Sequence, residues 1–153
     1  MRGASGMDLD QTFSLASSAA AASWLVLIAL PRWRWIIAAL RFGVILALST
    51  LYATLVFTSF FTVEGGGFGS LDQVAALFSS RPGLLAGWVH YLAFDLLVGV
   101  WIAERADARG MSRLMQAPIL LGTFMFGPVG YLIYASMEAV PRFRKPAAAE
   151  AGQ

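Results

Sequence analysis

The sequence predicts an all-α fold, an integral membrane bundle of four transmembrane helices with a short interfacial helix between the second and third. Three observations carry this reading. Hydrophobic residues make up 58% of the 153-residue chain and charged residues only 13%, too few charges for the surface of a soluble domain of this size. The charges cluster between long apolar runs, the pattern of spans and their connections. No stretch alternates polar and apolar residues over the length a membrane strand needs.

Residues 1–12 read as an N-terminal tail. Asp8 and Asp10 spoil the basic region of a signal peptide, so nothing is expected to be removed and the first apolar segment stays as a helix. The first span covers residues 13–30 and stops at Pro31. The second, residues 36–61, is long enough to cross with tilt. The glycines of residues 64–69 then form a turn, and Ser70 with Gln73 has capping-box spacing, which starts a short helix near Leu71. Leu71, Val74, Leu77 and Phe78 share one of its faces, suited either to covering a loop in the interface or to closing a ligand site. Arg81-Pro82-Gly83 opens the third span, residues 84–103. The fourth covers residues 117–138, and Pro128 within it cannot donate to the carbonyl of Phe124, so a kink is expected there. Twenty helical residues rise about 30 Å, the thickness of the hydrocarbon core. Residues 13–138 form one domain, and residues 139–153 are expected to be a disordered tail.

Four crossings put both termini on the same side. Arg32, Arg34, Arg41, Arg105, Arg109 and Arg113 flank one face, and Arg2, Arg81, Arg142, Arg144 and Lys145 the other. Six against five favours both termini outside. Trp24, Trp33, Trp35 and Trp101 near the span ends suit an interfacial aromatic belt.

Composition excludes several functions. A net charge of +2 gives no electrostatic footprint for nucleic acid. With no cysteine and a single histidine, thiol chemistry, disulfides and multi-histidine metal centres are ruled out within one chain. No metal and no cofactor is expected.

The chemistry concentrates in WVHYLAFDLLVGVW, where His90 and Asp95 lie within a few ångströms of mid-bilayer depth. An aspartate there costs roughly 2.5–3.5 kcal/mol on insertion scales, so it should face inward and have a partner or a task. Five residues of helix separate the two directions by about 140°. Each therefore needs its own partners, or the pair lines two sides of a cavity. Thr50, Thr54 and Thr58 make a hydroxyl stripe on the second span that offers partners, although threonines also bond back to their own helix or mediate packing. Tyr91 lies one turn before Asp95, and Trp88 one turn earlier near the boundary. On the fourth span Thr123, Gly127, Gly130 and Tyr134 share a face that permits close helix packing or holds a flat apolar ligand. Glu104 and Asp107 in ERADARGMSR read as a solvated charged turn rather than a metal pair.

The strings GGGFGSLDQVAALF and GWVHYLAFDLLVGVWIAERADARG, Pro118, and Gly127-Pro128-x-Gly130 together resemble the abscisic-acid-deficient-4-like family over residues 61–134. Plant members of that family are plastid membrane proteins needed to make neoxanthin from violaxanthin. The absence of a transit peptide here resembles a bacterial relative, in the inner membrane. The resemblance implies a place in carotenoid or isoprenoid metabolism and a neoxanthin-synthase-like epoxide isomerisation without a redox cofactor. That reaction needs an acid for the opening epoxide and a base for a proton of the polyene. Asp95 and His90 are the expected acid and base, with Trp88, Tyr91, Thr54, Thr123, Gly127 and Tyr134 around the substrate. Two alternatives stand beside it: a non-catalytic subunit that binds lipid or carotenoid, and a small proton or ion conductor with Asp95 as relay. Membrane lipid or an isoprenoid ligand is the expected partner, and a second copy of the chain a possible one.

Overall fold

A computed structural model describes residues 8–140, and all regular structure among them is helical. Helix α1 (Leu9–Ala29) opens at Asp8, whose carboxylate accepts the N–H groups of Asp10 and Gln11. This cap satisfies donors of the first turn and starts the helix inside the stretch expected to be tail. Leu30 is extended, as a residue before proline must be, and α1 ends there.

The second span runs without interruption over Arg34–Thr62. It comprises α2 (Arg34–Ala38), a π-helical stretch (Ala39–Ile45), α3 (Leu46–Ser59) and a closing 3-10 turn (Phe60–Thr62). The expected N-cap is present at the short helix α4 (Leu71–Ser79), where Ser70 Oγ accepts from the N–H of Gln73. The return bond is shifted by one residue: the Gln73 side chain accepts from Gly69 N–H rather than from that of Ser70. Of its apolar face, Leu77 is buried whereas Leu71 stands free. Helix α5 (Arg81–Ala108) is capped by Ser80 and carries Pro82 in its first turn, where a missing N–H is harmless. It is the axis of the molecule, packed on by α1, α3, α4 and α6. Val89, Leu96, Val100, Ile102 and Ala103 on it are fully buried.

Among the described residues, three helices are long and apolar enough to cross a membrane: Leu9–Ala29, Arg34–Thr62 and Arg81–Ala108. The segment expected to be a fourth span is instead two helices, α6 (Arg113–Phe126) and α7 (Pro128–Ala139). Their 14 and 12 residues rise about 21 and 18 Å, short of the roughly 30 Å core. The chain reverses between them at Gly127, where φ is +39° and ψ −92°. A Cβ placed on Gly130 would lie 2.6 Å from the Cα of Thr123, although residues seven apart in a straight helix are about 10 Å apart.

The side-chain contacts trace the same reversal. Helix α6 starts beside the C-terminal end of α5, where Gln116 Nε2 donates to Asp107. Its last turn reaches Tyr91, near the middle of α5. Helix α7 then returns, with Tyr131 and Tyr134 against Trp101 and Glu138 paired with Arg105 and Arg109. The segment is a helical hairpin that begins and ends at one end of the molecule. The expected kink at Pro128 is therefore a full turn. Its cause is local: Gly127 stops α6 at a positive φ, and Pro128 takes the first position of α7. The carbonyls of Phe124 and Met125, left over at the break, accept from the Tyr91 hydroxyl at 3.3 and 3.0 Å. Orphan carbonyls in a membrane need such a donor.

Candidate functional site

The hairpin tip lies against Asp95. That side chain is buried (8% exposed), and its Oδ2 has no hydrogen-bond partner among the described residues. A Cβ on Gly127 would fall 2.9 Å from the Asp95 Cγ, so only glycine lets the turn come this close. Thr123 is fully enclosed, and its hydroxyl donates to the Ile119 carbonyl at 2.9 Å. Tyr134 sits further along α7. Its hydroxyl accepts from Arg109 Nη1 at 3.0 Å, and its ring meets Trp101 edge-on. The structure thus gathers Asp95, Tyr91, Thr123 and Gly127 at one place and sets Tyr134 toward the end of the hairpin.

His90 belongs to a different region. It is exposed on α5, stacked on Phe94 at 4.5 Å and tilted against Tyr52 at 5.1 Å between ring centroids. It opens into a cavity of about 280 Å³, with Tyr52, Val56 and Ser59 on one wall, Phe60 and Phe68 at one end, and Leu77 and Phe78 of α4 above. The short helix closes this cavity from one side. Trp88 lies apart from both regions: its Nε1 donates to Ser17 Oγ at 2.9 Å, and its ring contacts Phe13 and Tyr91.

The hydroxyl stripe on the second span does not reach Asp95. Thr50, Thr54 and Thr58 are exposed, and each donates to the carbonyl four residues back. These threonines solvate their own helix. Tyr52, Phe60 and Phe68 are not among the site residues expected from sequence, whereas Phe78 and Leu77 belong to the α4 face expected either to cover a loop or to close a ligand site. Their position beside His90 depends on how the second span pairs with α5, and a tyrosine inside an apolar run was the one available signal. Among the described residues, no three carboxylate or imidazole side chains converge as metal ligands.

The charged turn after α5 is more than a solvated loop. Arg32, whose side chain is 4% exposed, reaches in from the end of α1. Its Nη1 donates to Asp107 Oδ1 at 2.8 Å, to the Ala103 carbonyl and to Gln116 Oε1, while Nε donates to the Leu27 carbonyl. Gln116 completes the network by donating to Asp107 and to the Met111 carbonyl. Nearby, Arg41 pairs with Glu104.

Three apolar helices, a helical hairpin and an aromatic-walled cavity beneath a short helix define a small all-α protein of membrane type. Within that class the chain belongs to the ABA DEFICIENT 4-like family, whose model matches residues 11–134. The match takes in α1 and the second span as well as the region that carried the resemblance. No curated protein and no solved structure matches the chain.

Proposed function

We propose that the protein works in carotenoid or related isoprenoid metabolism in a bacterial inner membrane, as an epoxide isomerase that holds its substrate in the His90 cavity. The observation that carries this reading is an aromatic-walled cavity whose polar lining is a histidine, a tyrosine and a serine. Polyenes pack well on aromatic faces, and a few convergent polar groups in an apolar pocket mark a ligand site.

The chemistry balances without a co-reactant. The His90 imidazole takes a proton from the polyene carbon, that electron pair forms the new double bond, and the epoxide C–O bond breaks. The released oxygen takes the hydroxyl proton of Tyr52, and the proton on His90 then restores Tyr52. Asp95 faces the hairpin rather than this cavity. Its proposed part is accordingly positional, exerted through the hairpin turn and Tyr91.

Pigment and lipid analysis of a deletion strain tests the proposal. The strain should lack one product, accumulate its precursor, and recover with the wild-type chain. His90→Gln and Tyr52→Phe should accumulate to normal levels yet lower turnover by about a hundredfold or more, the usual worth of a general acid or base. Retained ligand binding with lost turnover separates an enzyme from a binding subunit. A wild-type profile from His90→Gln removes the catalytic assignment.

A further inference from the structure

We infer that a second cavity, at the corner between α1 and the second span, binds a phosphate-bearing lipid headgroup. It measures about 420 Å³ and is lined by Arg32, Arg34, Arg41, Glu104, Asp107 and Phe42, among others. It lies at the opposite end of the second span from the His90 cavity and shares no residue with it.

The charges of the lining set the ligand's sign. Asp107 is taken by Arg32 and Glu104 by Arg41. Three guanidinium groups against two carboxylates leave one positive charge over, and among the described residues Arg34 has no ion pair. A guanidinium presents a planar fork of donors that matches phosphate oxygens. Basic pockets between spanning helices are a recurrent seat for anionic lipid headgroups.

Two further features favour a lipid over a free anion. Trp33 and Trp35 stand exposed beside the cavity with their rings 5.8 Å apart, as residues at headgroup depth do. Phe42, 71% exposed, continues from the charged lining along the span, where an acyl chain would lie. Arg41 itself sits in the π-helical stretch, whose wide turns are frequent at functional sites.

The full-length protein in neutral detergent provides the test. Its thermal midpoint would be followed with added short-chain phosphatidylglycerol, short-chain phosphatidylcholine, or sodium phosphate, for wild type, Arg34→Gln and Arg34→Lys. Phosphatidylglycerol should raise the wild-type midpoint at the lowest concentration. Arg34→Gln should need about tenfold more, the loss of one charge-assisted contact, and Arg34→Lys an intermediate amount. Equal potency of sodium phosphate would overturn the lipid assignment in favour of a soluble anion. A response identical in all three proteins would overturn the site itself. Arg34 is exposed, so its substitution leaves the fold in place and the comparison meaningful.

Discussion

Alanine at Gly130 or Gly127 should collapse the hairpin of α6 and α7 while the three long helices remain. At position 130 an added Cβ would lie 2.6 Å from the Thr123 Cα and overlap its backbone nitrogen. Backbone atoms cannot rotate away as a side-chain tip can, so α7 must move off α6. Overpacking of this kind costs about 1–3 kcal/mol. At position 127 the clash falls on Asp95, and the backbone conformation (φ +39°) is one that residues with a Cβ rarely adopt. Strain of that sort adds a further ~1–3 kcal/mol. Gly122→Ala is the matched control, because its Cβ would meet only the Gly130 Cα at an ordinary 3.8 Å. Thermal unfolding in detergent should show large losses for the first two and almost none for the third. Equal midpoints for Gly130→Ala and Gly122→Ala would mean that the two helices do not approach as described.

Asp107→Ala should be the most damaging single change among the charged residues. Arg32 is nearly inaccessible to solvent, and removing its carboxylate leaves a guanidinium cation held only by neutral acceptors. Breaking a buried pair from one side costs about 3–5 kcal/mol. Asp107 is itself a third exposed, which puts the expected loss near 3 kcal/mol, the low end of that range. Glu104→Ala breaks a pair whose members are 39% and 41% exposed and should cost less than about 1 kcal/mol. The two substitutions are close in sequence and similar in chemistry, so the contrast isolates burial. Parity between them in a thermal or denaturant midpoint would mean that the Arg32 network is solvated.

The long helices were legible because span length and uninterrupted apolar runs are local properties. The start of α4 was legible for the same reason, since Ser70 and Gln73 form their cap within four residues. The hairpin was legible only in part. Pro128 announces a lost hydrogen bond, but a kink and a reversal differ in what receives the freed carbonyls, and that group, Tyr91, lies more than thirty residues away. The divergence of His90 and Asp95 followed from helix geometry alone. Which elements each faces did not, because those contacts join α5 to α3 on one side and to the hairpin on the other. The charged turn reads as solvated in sequence for a related reason: Asp107 finds its arginine 75 residues upstream.

The hairpin also bears on how the chain would lie across a bilayer. Were the three helices long and apolar enough to cross the only crossings, that odd number would set the amino and carboxyl ends on opposite sides. Arg32, Arg34, Arg41, Arg105, Arg109 and Arg113 all gather where the hairpin enters and leaves, with only Arg81 among the described residues at the far end. Among the described residues positive charge therefore divides six arginines to one, and an excess of that kind is held on the cytoplasmic side of a bilayer. Reporter fusions should place the carboxyl end inside the cell and the amino end outside it, whereas a shared location would restore a fourth crossing.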